Sequence, residues 1–265
     1  MPVSTDMLDG GVAVVTLSPA ASSNTFSPDH FDPFLSSLQE VMANPSCRSV
    51  VITGSGRFFS SGGNMDDFSD AIENGNIGSR VQEMTDKLHP LLMKMRTSEK
   101  VFVCAINGSA AGGGLGLALA SDYRVCSPEA KIASAFFRLG LSPDGGTTWL
   151  LPRLVGNQVA RKFFFNSEVW SAKQALDYGA VDELADPSIL LDRAIEVARE
   201  WGKWSISSRK GTKQLLDAST STFFETQLHF EQSLMVASSQ TEDFVEGVTS
   251  FKHKREPSFG KSEEE

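Results

Sequence analysis

The chain has 265 residues, of which 40% are hydrophobic and 22% charged, and its formal net charge is −9 at pH 7. This is an ordinary globular composition with enough apolar residues for a sizeable core, and the acidic balance argues against general binding of nucleic acid or of an anionic membrane surface. No basic segment followed by an apolar one opens the chain, no apolar run reaches the roughly 18 residues of a membrane span, and Lys261-Ser262-Glu263-Glu264-Glu265 reads as a solvated tail rather than a peroxisomal address; a cytoplasmic protein is expected.

Val12–Leu17 reads as a strand. Residues 27–42 read as a helix, with Ser27 as N-cap and Pro28 in the first helical position. A short buried strand at residues 49–53 ends at Gly54-Ser55-Gly56. Residues 77–95 are expected to be helical, with Val81, Met84, Leu88, Leu91, Leu92 and Met95 on the core face. Val101–Ile106 is an apolar strand that runs into a glycine-rich helix ending near Asp122. Tyr123–Cys126 and Lys131–Ala133 are two further short strands. Cys47, Cys104 and Cys126 lack metal-ligand spacing, and Cys104 and Cys126 read as small buried hydrophobes within strands. Alternation of strands and helices predicts an α/β fold. Beyond about residue 155 strand signals nearly vanish, and helices are expected at 158–166, 172–178, 189–204, 208–218, 222–238 and 241–253. Trp201, Trp204, Phe223, Phe224, Leu228, Phe230, Leu234 and Phe251 supply apolar surface there for core or subunit contact.

Three segments carry chemistry. Residues 107–116, containing Gly112-Gly113-Gly114, lie between a buried strand and a helix, where unpaired N–H groups and the positive end of the helix dipole meet. Neither a Gly-Lys-Ser/Thr nor a G-x-G-x-x-G spacing is present, so a carbonyl oxygen fits this junction better than a nucleotide phosphate; tight backbone packing is the plainer explanation of the glycines. Residues 57–67, with Ser61-Gly62-Gly63-Asn64-Met65, form a second small-residue loop after a buried strand. Two N–H groups converging from such loops make an oxyanion hole. In residues 136–152, Asp144 stands between Pro143 and Gly145-Gly146. It can simply cap a helix, or, among Phe136, Phe137, Leu141, Trp149 and Leu150, it can be a desolvated carboxylate acting as a base near neutral pH.

At these segments the chain resembles the crotonase superfamily, the enoyl-CoA hydratases and isomerases. The resemblance spans nearly the whole chain. It includes Thr25-Phe26, where many members have Asn-Ala or Ser-Phe, and a closing segment over residues 243–259 with Gly247, Phe251, Arg255 and Pro257. It implies a ββα spiral core over residues 1–200 holding an acyl-CoA site, and a helical trimerisation region over 201–265 that makes a homotrimer or hexamer. It further implies that Gly63 and Gly113 donate N–H groups to a thioester oxygen, and that Ser61, Gly62, Gly63, Asn64, Met65 and Gly113 bind the acyl-CoA, with no metal or redox cofactor.

The departures from the family pattern guide the expected reaction. Hydratases of this family carry two glutamates that hold a water; here Gly116 and Phe136 stand at those positions. Asp144 resembles the single acid/base of certain isomerases, and the string from Pro143 to Arg153 looks closest to the ring-1,2-epoxyphenylacetyl-CoA isomerase type. Some Δ3,Δ2-enoyl-CoA isomerases are similar there. Isomerisation of a 3-enoyl-CoA to a 2-enoyl-CoA, or of a ring epoxide of an arylacetyl-CoA, is therefore expected, with Asp144, Gly63 and Gly113 as catalytic residues. The alternatives are hydrolysis or dehalogenation through Asp144, weak hydration, or acyl-CoA binding without catalysis. Asn64 replaces the family's usual Asp. No basic residue stands near residues 20–23 to hold the CoA phosphates, which leaves Arg57, Arg124, Lys252, Lys254 or Arg255 for that role.

Overall fold

The computed structural model describes residues 4–19, 21 and 23–260; Ala20, Ser22 and the acidic segment beginning at Lys261, expected to be a solvated tail, lie outside the described residues. An antiparallel pair, β1 (Ser4–Leu8) and β2 (Val12–Leu17), is followed by α1 (Pro28–Ala43). Strand–strand–helix turns come next. The first is β3 (Ser49–Gly54), β4 (Phe58–Ser60), α2 (Met65–Glu73) and α3 (Ile77–Thr97); the second is β5 (Val101–Ile106), β6 (Ser109–Ala111) and α4 (Gly113–Ala120). The third is β7 (Tyr123–Cys126), β8 (Lys131–Ala133), a 3₁₀ turn at Phe137–Leu139, α5 (Thr147–Val155) and α6 (Asn157–Phe165). Then come β9 (Val169–Ser171), α7 (Ala172–Tyr178), β10 (Glu183–Leu184), α8 (Leu190–Gly202), α9 (Ile206–Ser219), α10 (Phe224–Ser238) and α11 (Glu242–His253).

In each turn the first strand joins a six-stranded sheet of order β1-β2-β3-β5-β7-β10, and the second joins a four-stranded sheet of order β4-β6-β8-β9. β2, β3, β5, β7 and β10 run parallel, as do β4, β6 and β8. Such strands need cover on both faces, and the residues supply it. Val50, Ile52, Phe102, Cys104 and Ile106 share a core with Phe31 and Phe34 of α1, Leu88 and Met95 of α3, and Leu115 of α4. Val51, Val101, Val103 and Ala105 pack on the other side with Ala194, Val197 and Ala198 of α8. Burial pushes the Cys104 and Cys126 thiols up to about 12, which leaves them inert as the sequence implied.

The expected strands and helices of the α/β core are present, with differences that have local causes. β4, β6 and β9, not expected as strands, have three residues each, too few for a period-two pattern to stand out, while β8 matches the strand expected at Lys131–Ala133. α2 is polar and buries only Ala71, so it carries no amphipathic signal. Ser27 precedes α1, but its Oγ pairs with His30 Nδ1 at 2.8 Å instead of capping a backbone N–H. Val81 and Met84 of α3 are half-buried, whereas Leu88, Leu91, Leu92 and Met95 are buried.

The last three helices differ in how they are held. α9 is tied to the core: Lys213 Nζ donates to the Met95 and Lys100 carbonyls and to Asp122 Oδ2, and Arg96 pairs with Asp217. Burial lowers the Lys213 pKa, and the Asp122 carboxylate opposes that shift. By contrast α10 buries none of its residues. Phe223, Phe224 and Phe251 are 86%, 77% and 85% exposed in the single chain. No helix of the described residues is long and apolar enough to cross a membrane.

Candidate active site

The site is set by the small sheet. β4, β6 and β8 lie side by side and parallel, so their carboxyl ends emerge at one edge. The loop 61–64 follows β4, Gly112 and Gly113 follow β6, and the segment leading to Asp144 follows β8. Three stretches far apart in sequence are thereby delivered to one place, the carboxyl ends of parallel strands where α/β proteins build their sites.

Glycines let these stretches touch. Gly62 has φ +81°, and a Cβ on it would stand 2.9 Å from both the Ala111 carbonyl oxygen and the Gly113 nitrogen. A Cβ on Gly113 would meet the Phe26 ring at 2.9 Å and Leu88 Cδ2 at 3.2 Å. Gly113 begins α4, so its N–H has no partner within the helix. Among the described residues neither the Gly63 nor the Gly113 N–H donates to a protein acceptor. Both are available to a ligand oxygen, with the positive end of α4 behind Gly113.

The first loop is laced down by the segment before α1. Phe26 N–H donates to the Gly62 carbonyl at 2.8 Å, and Ser61 N–H to the Ser23 carbonyl at 3.1 Å. Asn24 Nδ2 donates to the carbonyls of Ser55, Phe58 and Phe59. Its backbone is left-handed, at φ +53°, which Asn tolerates better than most residues. Asn107 Nδ2 reaches the Gly56 carbonyl at 2.9 Å, and Asn107 Oδ1 accepts from Gly54 N–H at 2.9 Å, which links the two loops at their base. The role of Asn64 is now explained: it caps α2, its Oδ1 accepting from Asp66 N–H at 2.9 Å, a role Asp fills equally well. Met65 is the first residue of α2 and is exposed.

Asp144 is neither the helix cap nor an enclosed carboxylate. Gly146, at φ +70°, occupies the cap position of α5, and the Asp144 main-chain carbonyl accepts from Thr147 N–H and from Thr147 Oγ1 at 2.8 Å. The expected desolvation by neighbouring aromatics is corrected too. The Asp144 side chain is 33% exposed, because Phe136 turns into the core while Trp149 lies on the surface against the Arg153 guanidinium. Its partner is His89 of α3, a residue that no sequence motif singles out: His89 Nε2 lies 2.7 Å from Asp144 Oδ1. An ionised carboxylate only accepts, so the imidazole donates from Nε2.

The two positions occupied by glutamate in hydratases are closed. A Cβ on Gly116 would lie 2.3 Å from the Gly145 carbonyl oxygen, backbone against backbone. Phe136 is buried in the core. Among the described residues no three His, Cys, Asp or Glu side chains cluster as metal ligands.

Of the cations considered for CoA phosphates, two are engaged elsewhere. Arg124 is buried and paired with Asp182 at 2.7 Å, and Arg255 binds both carboxylate oxygens of Glu246. A cavity of about 580 Å³ lies against α9, lined by Leu119, Trp149, Leu150, Trp201, Trp204 and Lys213; neither Gly63, Gly113 nor Asp144 lines it.

Comparison with known proteins gives the family. The enoyl-CoA hydratase/isomerase family pattern matches residues 8–262. A 1,2-epoxyphenylacetyl-CoA isomerase of Escherichia coli is 31% identical over 255 residues, covering 95% of this chain and 96% of that protein. A trans-2-decenoyl-[acyl-carrier-protein] isomerase of Streptococcus mutans is 28% identical, with 95% of each covered. A crystal structure of an enoyl-CoA hydratase from Polaromonas superposes with a TM-score of 0.88 at 29% identity, covering 97% of this chain and 99% of that one. Family pattern, curated relatives and solved structure agree over almost the full length, and the chain is a member of the enoyl-CoA hydratase/isomerase family, an enzyme of the crotonase superfamily.

Proposed function

We propose that this enzyme is an acyl-CoA isomerase that moves a double bond from the 3- to the 2-position, with Asp144 as the single acid/base. The observation that carries this reading is the contact of Gly116 with Gly145. With backbone filling one hydratase carboxylate position and Phe136 the other, no pair remains to orient and deprotonate a water, while Asp144 stays open to a ligand. The thioester oxygen accepts from Gly63 and Gly113 N–H groups, each such donor being worth about 3–4 kcal/mol to a developing oxyanion.

The C2–H bond breaks and its proton passes to Asp144. The electron pair delocalises into a dienolate whose charge rests on the thioester oxygen. Return of the proton to C4 leaves the double bond between C2 and C3. One carboxylate suffices because C2 and C4 share a face of the dienolate. These groups need no metal or redox cofactor, and CoA enters as part of the substrate, against the loop from Ser61 to Met65. The same base and hole would serve a ring epoxide of an arylacetyl-CoA, the reaction in the name of the Escherichia coli relative. Exposed Phe223, Phe224 and Phe251 support assembly as a trimer or hexamer.

The test is a parallel assay of isomerisation, hydration and CoA release on 3-enoyl-CoA, crotonyl-CoA and an arylacetyl-CoA epoxide. Isomerisation is expected to dominate, and Asp144→Asn to reduce it by roughly 10²–10⁴-fold with little change in folding. Hydration as fast as isomerisation, steady CoA release, or near-normal turnover in the Asn variant would overturn the proposal.

A further inference from the structure

From the contact between α3 and the Asp144 loop we infer that His89 is a positioning residue: it tethers Asp144 Oδ1 and thereby selects Oδ2 as the oxygen that exchanges the proton. The inference rests on the reading of Asp144 as the base. Asp144 lies outside regular structure, between Pro143 and Gly145 at φ +63°, and its side chain is partly open to solvent. Thr147 fixes its main-chain carbonyl. Among the described residues, the His89 bond at 2.7 Å is the one that holds its side chain, and Oδ2 accepts none. An untethered carboxylate at such a position samples several rotamers and either oxygen; a tethered one presents the same oxygen each time.

His89 is itself on rigid ground. Leu88, the preceding residue, is fully buried, and its Cδ2 lies where Cβ atoms on Gly113 and Gly145 would meet it, at 3.2 Å and 3.6 Å. Leu92, one turn on, is buried as well. Lys87 Nζ pairs with Asp32 of α1 at 2.9 Å and with Glu83 at 3.1 Å. The turn carrying His89 is thus fastened to α1 and to the glycine loops that hold Gly113. A hydrogen bond this exposed, with the His89 and Asp144 side chains 49% and 33% open to solvent, contributes little to stability, so its effect is expected in turnover and not in folding.

The experiment compares wild type, His89→Ala and His89→Gln, reading kcat and KM for 3-enoyl-CoA isomerisation, C2 deuterium exchange into a saturated acyl-CoA, and thermal unfolding. Gln places an N–H₂ at about the reach of the imidazole Nε2. His89→Ala is expected to lower kcat and the exchange rate together, by about 10–100-fold, the range for losing a hydrogen bond to a charged group. KM should shift by less than about threefold, and His89→Gln should recover turnover to within about fivefold of wild type. A His89→Ala enzyme within about twofold of wild type in both assays, or a His89→Gln enzyme as slow as His89→Ala, overturns the tethering role while leaving Asp144 as base. A wild-type enzyme inert in both assays removes the reading beneath it. The glutamine variant and the unfolding curve separate a lost tether from a lost fold.

Discussion

Replacing Gly116 by alanine tests the packing on which the proposed isomerase reading rests. The added Cβ would stand 2.3 Å from the Gly145 carbonyl oxygen, whereas ordinary van der Waals contact begins near 3.4 Å. The two backbones must therefore separate by about 1 Å. Gly116 is buried inside α4, and its neighbours Gly114 and Leu115 are buried too, so the α5-leading loop is the part that yields. That loop carries Asp144. Overpacking of this kind costs about 1–3 kcal/mol, which lowers the unfolding midpoint by roughly 2–6 °C in a chain of this size. A 1 Å displacement of a reacting group costs on the order of 10²-fold in rate. Isomerase kcat of Gly116→Ala is therefore expected to fall about a hundredfold, and Gly116→Glu to gain no hydratase activity. Gly78→Ala is the control, since a Cβ at Gly78 meets nothing within 4 Å; its midpoint should hold or rise slightly. A Gly116→Ala enzyme with wild-type kcat and midpoint would refute the steric account behind the proposed lack of hydration.

Other expectations follow from single contacts. Asn64→Ala should cost about 1 kcal/mol through loss of the α2 cap, while Asn64→Asp should be neutral in the same denaturation assay; equal losses in both would disprove capping. Sedimentation should find three or six copies, and Phe223→Asp with Phe224→Asp should shift the species toward monomer; a stable wild-type monomer at micromolar concentration would contradict the assembly. Arg255 and the Ser258 N–H hold the Glu246 carboxyl down to about 2 from its ordinary 4.5. A carboxylate lowered on folding stabilises above its unfolded pKa and loses that contribution as pH falls through the folded one. The midpoint gap between wild type and Glu246→Gln should thus be full above pH 4.5 and close toward pH 2; a pH-independent gap would argue against the clasp.

Much was legible before any coordinates. The apolar runs of β3 and β5, the spacing of Leu88, Leu91, Leu92 and Met95, and the glycines at 62–63 and 112–114 each report their own environment, because a buried strand, a packed helix face and a close backbone approach impose requirements on the residues present. The absence of glutamate at 116 and 136 could likewise be read directly. The three-residue strands β4, β6 and β9 could not be found from pattern, since three residues do not define a period, whereas β8 stands at its expected bounds.

Local pattern settled the longer elements, such as β2, β3, β5, α1 and α3, and that the chain alternates strands with helices. It could not settle what Asp144 touches, since His89 lies 55 positions away on a helix whose apolar stripe gives no sign of it. Nor could it show that Gly145 lies on Gly116. Both facts arise from the parallel placement of β4, β6 and β8, which brings three loop ends to one edge. Desolvation of Asp144 was misjudged for the same reason: sequence neighbours such as Phe136 and Trp149 go to opposite places, one to the core and one to the surface. Burial is a property of the assembled layers and not of adjacency along the chain, so the partners of a loop carboxylate become known only once the strands beneath it have found their order.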